Sequence, residues 1–182
     1  MSVSEIKIGG FGGQGVILTG LVIGQGAALY DDRYSTMTQA FGPEARGSSC
    51  SSQVIISDEK ILYPYVSHPD VLVVMSQDAY NRFAPSMKHD AGSLLIYESD
   101  MVRLGELHGN ARSVGIPATR LAEELGRSMV LNIVMVGFFT AVTKLVSPDA
   151  ARRAVKDLVP RGTETLNLSA FDKGCQHGLE AA

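Results

Sequence analysis

A glycine-rich segment near the N-terminus constrains the fold of this chain more than any other feature. Residues 10–15 (Gly-Phe-Gly-Gly-Gln-Gly) follow a short strand-like stretch and precede apolar residues with helical spacing at 16–29. Gly10, Gly12 and Gly15 match the pattern G-x-G-x-x-G. Because a backbone without Cβ atoms turns sharply and leaves N–H groups facing an anion, the pattern predicts a Rossmann-like first β–α unit. It favours a phosphate-containing ligand, although the same glycines could serve tight strand–helix packing alone.

Strand patterns recur along the rest of the chain. Continuous apolar runs at 71–75 and 93–97 are typical of parallel strands that are covered on both faces. The strand predicted at 51–56 is followed by turn-forming residues and then by 61–63, so we expect these two stretches to form an antiparallel hairpin. Further strands are predicted at 33–39 and 111–116, and a short helix at about 77–83. After Pro117 helical patterns dominate, at roughly 118–125, 132–146, 150–158 and 163–178, with a helix start signal at residues 147–149 (Ser-Pro-Asp). The alternation predicts an α/β fold with three α/β/α layers and a mostly parallel sheet plus an antiparallel hairpin.

The composition limits the possible functions. A chain of 182 residues with 45% hydrophobic and 19% charged residues fits one globular domain over residues 1–182. A net charge of −3 gives no basic excess for nucleic acid, and the most membrane-like stretch, 129–146, contains too many polar residues to span a bilayer. Only two cysteines, Cys50 and Cys175, are present, which excludes a four-cysteine zinc or iron–sulfur site built by this chain alone. The four histidines lack ligand spacing, so we expect no metal, and we expect a reducing, cytoplasmic location.

A second unusual segment lies at residues 41–49 (Phe-Gly-Pro-Glu-Ala-Arg-Gly-Ser-Ser). It follows a predicted strand, and ligands gather at the carboxyl ends of strands in open α/β sheets, so this loop is expected to face the glycine loop across one sheet edge. There Arg46, between Glu44 and Gly47, could pair with a phosphate or a carboxylate. An internal pair of Arg46 with Glu44 that merely fixes the loop is the alternative.

The glycine pattern also leaves open a nicotinamide dinucleotide. Asp31 and Asp32 lie about 20 residues downstream, where a ribose-binding carboxylate would sit, so Asp32 and the motif glycines could belong to a stand-alone NAD(P)-binding oxidoreductase. Two details count against this alternative. Gln14 occupies a position from which a long polar side chain would reach into the cleft, and the acidic pair precedes the second strand instead of following it.

Taken together, the two loops resemble a known family. Residues 10–16 and 41–47 are similar to the gamma subunit, or gamma domain, of 2-oxoacid:ferredoxin oxidoreductases. The likeness continues through residues 54–58, 132–137 and 167–171, and so covers nearly the whole chain in the right order. The form of the second loop and the short, free-standing chain are most similar to gamma subunits of the 2-oxoglutarate branch. Pyruvate, branched-chain 2-oxoacid and indolepyruvate enzymes have gamma subunits of the same architecture.

This resemblance implies a role inside a multi-subunit enzyme. Such an enzyme oxidatively decarboxylates a 2-oxoacid on thiamine diphosphate, passes electrons through iron–sulfur clusters to ferredoxin, and releases an acyl-coenzyme A. The resemblance assigns thiamine diphosphate and the clusters to separate alpha and beta chains, with or without a delta chain. It associates the gamma chain with coenzyme A binding and assembly, so we expect no catalytic residue here and no activity from the isolated chain.

The expected contacts to coenzyme A are the glycine loop, the second loop and one residue of the apolar helix. That residue, Asn132, is expected either to cap the N-terminus of the helix or to lie in the cleft. A third possibility is an interaction module whose glycine loop serves packing or docking only. The full candidate set is Gly10, Gly12, Gly13, Gln14, Gly15, Glu44, Arg46, Gly47 and Asn132.

Overall fold

A six-stranded mixed sheet forms the centre of the molecule, in a computed structural model that describes residues 3–42, 49–105 and 109–181. The strand order is β2-β3-β1-β4-β5-β6. β1, β4, β5 and β6 are parallel, whereas β3 lies antiparallel between β1 and β2. The strands are β1 (Val3–Phe11), β2 (Tyr34–Phe41), β3 (Ser49–Ser57), β4 (Val71–Val74), β5 (Leu94–Glu98) and β6 (Arg112–Ile116).

Helices cover both faces of this sheet. One face packs against α1 and α3 to α6, and it carries the larger core, which includes Ile6, Ile8 and Val73. The other face packs against α2, through Leu72 and Val74. The predicted three-layer α/β/α fold with a mostly parallel sheet is therefore confirmed. The helices are α1 (Val16–Gln25), which continues into a π-helical turn at Gly26–Tyr30, α2 (Gln77–Phe83), α3 (Ala118–Glu124), α4 (Leu131–Thr143), α5 (Pro148–Leu158) and α6 (Glu164–Ala181).

The antiparallel part of the sheet is not where the sequence pattern placed it. Residues 61–63 form no strand, so the predicted hairpin with 51–56 is wrong. Pro64 breaks this short stretch, and Leu62 is 87% exposed, so the stretch has neither a backbone nor a core contact to hold it in a sheet. Instead β3 pairs with the much longer β2.

Two long helices approach each other closely on the larger face. A Cβ atom added at Gly137 of α4 would lie 2.0 Å from the Phe171 carbonyl oxygen. One added at Gly174 of α6 would lie 2.0 Å from the Val134 carbonyl oxygen. Because both crossing points lack side chains, the two backbones touch, and this contact fixes where the N-terminus of α4 lies.

The helix boundaries follow local signals in the sequence. α4 ends at Thr143, three residues before its predicted end, because Lys144 adopts a left-handed conformation with φ 56° and terminates the helix. The predicted start of α5 at Ser147-Pro148 is confirmed, since the Ser147 hydroxyl accepts a hydrogen bond from the Ala150 N–H at 3.2 Å. None of the helices in the described ranges is both long and apolar enough to cross a membrane.

Candidate functional site

The glycine loop connects β1 to α1 through two left-handed residues. Gly13 has φ 101° and Gly15 has φ 74°, conformations that cost a side-chain-bearing residue free energy. The turn is closed by the Gln14 N–H, which donates to the Phe11 carbonyl at 3.1 Å. Gly15 caps the N-terminus of α1, and Gly12 and Gly13 are exposed. The loop therefore has the predicted strand–turn–helix form.

Gln14 turns into the sheet edge instead of into open solvent. Its Oε1 accepts from the Phe11 N–H at 2.7 Å, and its Nε2 donates to the Met75 carbonyl at 2.8 Å. These bonds tie the end of β1 to the end of β4, which is the crevice where a nucleotide would enter a sheet with this strand order. A Cβ atom at Gly10 would lie 2.6 Å from Gln14 Oε1, so the missing side chain of Gly10 makes room for this carboxamide.

A cleft of about 410 Å³ lies on the other side of the glycine loop. It is bounded by Gly13 and Gly15 of the loop, by the N-terminus of α4, and by the turn that leads from α5 into α6. Most of its surface is apolar, and it is open to solvent. The remaining lining residues are Leu18, Arg127, Met129, Val130, Asn132, Val159, Pro160, Gly162, Thr163, Leu166 and Asn167.

The electrostatics of this cleft favour an anion. The N-terminal ends of α1, α4 and α6 all border it, at Gly15, Val130 and Thr163. Helix N-termini carry partial positive charge and unpaired N–H groups, and here three of them converge. Of the described residues that line the cleft, Arg127 is the charged one, and it adds a full positive charge at the rim. None of these lining residues is a carboxylate, although the Glu164 carboxylate, just outside the lining, accepts from the Gly162 N–H at 2.7 Å.

Asn132 lies deep in the cleft. The N-cap of α4 is Val130, so the interpretation of Asn132 as a helix cap is wrong, and its place in the cleft is the correct alternative. Its side chain is 3% exposed and packs directly against the glycine loop, where a Cβ atom at Gly15 would lie 2.5 Å from its Cγ and Nδ2. Its carboxamide borders the open space of the cleft, where its donor and acceptor groups can contact a ligand.

A second carboxamide, which was not predicted from the sequence, lies in the same cleft. Asn167 Nδ2 donates to the Thr163 carbonyl at 2.9 Å and to its hydroxyl at 3.0 Å, which fixes the side chain at the start of α6. Arg127 and Thr163 were also overlooked. The sequence is compatible with either core or subunit-interface packing for Met129. Its side chain is 80% exposed at the rim of the cleft, so the core alternative is wrong. The sequence contains one signal for these residues. The turn at 160–162 precedes a helix that begins with polar residues, which is typical of a helix N-terminus that can bind an anion.

The second loop starts and ends at the same sheet edge as the glycine loop. Register pairs Cys50 of β3 with both Phe41 and Gly10, and it pairs Ser49 with Phe11. The Gly42 N–H donates to the Ser49 carbonyl at 2.9 Å and closes the base of the loop. The expectation that both loops share one edge is confirmed for these flanking residues. The candidates Glu44, Arg46 and Gly47 lie outside the described residues.

Asp31 and Asp32 lie at the opposite edge of the sheet. β2 begins at Tyr34, which shares a register row with the first residue of β1, a full strand length from the glycine loop. The Asp31 carboxylate accepts from the Ser147 N–H and hydroxyl, both at 2.6 Å, and so holds the start of α5. Asp32 therefore cannot contact a ligand at the glycine loop, and this position does not support the dinucleotide alternative.

The remaining chemistry-bearing groups have structural surroundings. Cys50 is buried in β3. Burial raises the pKa of the Cys175 thiol to about 11, and this thiol donates to the Gly137 carbonyl. Over the ranges that the structure describes, no cluster of His, Cys, Asp or Glu has the arrangement to hold a metal ion.

With this geometry established, comparison with known proteins identifies the family. The model for "Pyruvate ferredoxin/flavodoxin oxidoreductase" matches residues 5–177. The chain belongs to the pyruvate ferredoxin/flavodoxin oxidoreductase family. Within this family, a curated relative is the 2-oxoglutarate synthase subunit KorC of Methanothermobacter thermautotrophicus. It is 48% identical over 184 residues, which cover 98% of this chain and 96% of the relative.

Two solved structures of the pyruvate ferredoxin/flavodoxin oxidoreductase type have the same fold. The gamma subunit of a keto/oxoacid ferredoxin oxidoreductase from Geobacter sulfurreducens has a TM-score of 0.88 and 34% identity, and the match covers 100% of this chain and 99% of that one. A 2-oxoglutarate:ferredoxin oxidoreductase from Magnetococcus marinus, solved with 2-oxoglutarate, coenzyme A and succinyl-CoA, has a TM-score of 0.90 at 22% identity. There this chain matches 32% of the longer chain. The predicted resemblance to gamma subunits is confirmed, and with it membership of a multi-subunit oxidoreductase.

Proposed function

We propose that this chain is the gamma subunit of an enzyme that oxidises 2-oxoglutarate and releases an acyl-coenzyme A. The observation that carries the substrate class is the 48% identity to a 2-oxoglutarate synthase subunit over nearly the full length of both chains. Pyruvate, branched-chain 2-oxoacid and indolepyruvate enzymes are the alternatives for the same role. A test is the activity of the purified complex with each 2-oxoacid, where 2-oxoglutarate is expected to give the highest kcat/KM.

In this proposal the electron-transfer chemistry belongs to partner subunits. Thiamine diphosphate and iron–sulfur clusters are held by alpha and beta chains, with or without a delta chain, and the complex reduces ferredoxin in the cytoplasm. The described residues of this chain fit such a division, because its two cysteines lie on β3 and α6 and form no metal-binding cluster. Residues 1–182 would then act as one gamma domain that has no activity on its own.

The cleft beside the glycine loop supplies the proposed role in coenzyme A binding. Coenzyme A is a polyanion with an amide-containing arm. Three helix N-termini and Arg127 match its phosphates, while the apolar walls and the carboxamides of Asn132 and Asn167 match the arm. The Magnetococcus enzyme, which shares this fold, was solved with coenzyme A bound, and this supports the same ligand class here.

Replacement of Asn132 by aspartate tests this role in the reconstituted complex. The variant Asn132→Asp keeps the size of the side chain but adds a negative charge where an anion is expected. We expect the KM for coenzyme A to rise at least tenfold, with the KM for the 2-oxoacid unchanged. Asn110→Asp, the same change at an exposed position, is the matched control. Equal KM values for coenzyme A in the two variants would show that the cleft does not bind this cosubstrate.

A docking role for the same cleft is the second candidate. The exposed Met129 side chain at the rim favours it, since apolar groups at the edge of a cleft often contact a partner protein. Met129→Glu should then abolish assembly with the partner subunits, as measured by size-exclusion chromatography, while Asn132→Asp assembles normally. Normal assembly of both variants, with a raised KM for coenzyme A in Asn132→Asp alone, would exclude docking as the role of the cleft.

A further inference from the structure

The edge of the sheet at β2 is long and has no neighbouring strand on its outer side. β2 comes first in the strand order, and within the described residues it pairs with β3 alone. Its eight residues, Tyr34–Phe41, include no charged residue and no proline. Edge strands usually carry such residues, because they prevent pairing with another chain. The opposite edge strand, β6, is shorter and begins with Arg112, so β2 is the edge more open to pairing.

The register of β2 with β3 shows which backbone groups of β2 point outwards. The Gly42 N–H donates to the Ser49 carbonyl at 2.9 Å, and this pair continues the register of the two strands. Because hydrogen-bonded and non-hydrogen-bonded pairs alternate in an antiparallel ladder, the even-numbered residues of β2 bond to β3. The odd-numbered residues direct their N–H and C=O groups away from the sheet, and these residues are Ser35, Met37, Gln39 and Phe41.

An apolar groove of about 250 Å³ runs beside this edge, between α1 and β2. Two glycines of α1, Gly20 and Gly24, line the groove and add no side chain to it. Two leucines also line it and remain accessible, Leu21 at 41% and Leu29 at 64% exposure. The same surface therefore has protruding apolar side chains, a hollow between helix and strand, and a row of backbone donors and acceptors. Such a surface can be complementary to itself.

We propose that two copies of this chain pair through their β2 strands, antiparallel about a twofold axis at Met37. In this register Ser35 of each copy lies opposite Gln39 of the other, so outward N–H groups meet outward carbonyls. No like charges face each other, since β2 carries none. The axis is perpendicular to the sheet, so both α1 helices lie on the same face and their exposed leucines approach each other across the junction. One such edge per chain limits the assembly to two copies.

The interface is large enough for a reversible dimer. A strand of eight residues is about 27 Å long. Pairing over this length, together with the exposed parts of Leu21 and Leu29, removes roughly 1,000–1,200 Å² from solvent in total, which is near the lower limit for a specific interface. We therefore expect a dissociation constant of roughly 1–100 µM. The groove shares no lining residue with the cleft, so the dimer does not depend on the proposed coenzyme A role.

Sedimentation velocity of the full chain, at concentrations from micromolar to submillimolar, tests the proposal. The mass should rise from that of one chain to that of two. Gln39→Pro removes an outward N–H but no bond to β3, and it should raise the dissociation constant roughly tenfold or more. Gln39→Thr keeps that N–H and is the matched control. Leu29→Glu should weaken the dimer to a similar extent, whereas Leu179→Glu, at a 70% exposed position of α6, should leave it unchanged.

Hydrogen exchange of single amides, followed by NMR, tests the strand pairing itself. The amides of Ser35, Met37 and Gln39 should exchange rapidly in dilute protein and become protected as the dimer forms, whereas those of Thr36 and Thr38 should be protected at every concentration. A monomer at all concentrations, assemblies larger than two, or a dimer that leaves the outward amides unprotected would overturn the proposal. Protection of these amides only after partner subunits are added would assign the edge to a partner and would also overturn it.

Discussion

Replacement of Gly15 by alanine tests the geometry on which the cleft depends. Gly15 has φ 74°, and an added Cβ atom would lie 2.5 Å from Cγ and Nδ2 of Asn132. The left-handed conformation costs an alanine roughly 1–2 kcal/mol, and the forced contact adds roughly 1–3 kcal/mol. The lower entropy of the unfolded alanine chain offsets about 0.4–1 kcal/mol. We expect a net loss of roughly 2–4 kcal/mol, or roughly 5–15 °C in Tm for a chain of this size.

Gly13→Ala is the matched control for this experiment. Gly13 also has a positive φ, 101°, but no atom lies within 4 Å of its added Cβ. It should therefore show only the conformational cost of roughly 1–2 kcal/mol, less the same unfolded-state offset, or a net loss of about 1 kcal/mol. Urea unfolding of both variants, followed by circular dichroism with a shared m-value, measures the difference. Equal losses in the two variants would refute the contact between the glycine loop and Asn132.

A double variant locates the contact. In an Asn132→Gly background the Cβ, Cγ and Nδ2 atoms that the added Cβ would meet are all gone, so Gly15→Ala should cost less there by about 1 kcal/mol. Additive losses would mean that the two residues do not touch in solution. The cleft would then have a different wall from the one described, and the argument for coenzyme A at this place would fail with it.

Three other features have measurable consequences. Gly174→Ala places a Cβ atom 2.0 Å from the Val134 carbonyl, so α4 and α6 must separate. We expect the free energy of unfolding in urea to fall by about 2–3 kcal/mol, although alanine has the better helix propensity. If the free energy of unfolding falls by less than in a glycine-to-alanine variant at an exposed position, the close crossing of α4 and α6 is contradicted. Asp31→Ala removes both acceptors from Ser147 and should cost about 1 kcal/mol in the same assay, whereas an unchanged midpoint would show that this cap is not formed. Cys175 has a folded-state pKa of about 11, above its ordinary value of 9.0, so the folded state favours the thiol. Its contribution to the free energy of unfolding should be complete below pH 9 and lost as the pH rises towards 11. Alkylation of Cys175 by iodoacetamide at pH 8 should be far slower in the folded protein than in an unfolded sample. Equal alkylation rates would refute the buried position.

Local patterns were sufficient where local interactions decide the structure. α2 was predicted over residues 77–83 and occurs there, since its N-cap, Ser76, and its apolar positions are all contained within a few residues. The buried strand at Val71–Val74 was recognisable for the same reason. Each of these elements is set by short-range capping and periodicity, so a single sequence contains the required information.

The position of β3 and the form of the cleft could not be predicted in this way. β3 pairs with β1 across 38 to 54 residues, and no local signal distinguishes that partner from residues 61–63. Asn132 meets the glycine loop because of how α4 packs, and its close crossing with α6 at Gly137 and Gly174 helps to set that packing. Such crossings depend on the fit of two backbones that are distant in sequence, which a hydrophobic pattern does not encode.

The glycine motif itself has two separate physical causes in this fold, and neither one requires a dinucleotide. Gly13 and Gly15 are needed for a turn with positive φ, whereas Gly10 is needed because the Gln14 carboxamide occupies the space where a side chain would be. That carboxamide bonds both β1 and the end of β4, and so fills the crevice that a dinucleotide would enter. The space open to a ligand therefore lies on the other side of the loop, where the N-termini of α1, α4 and α6 converge. The residue between the last two glycines, and not the number of glycines, is what distinguishes the two kinds of site.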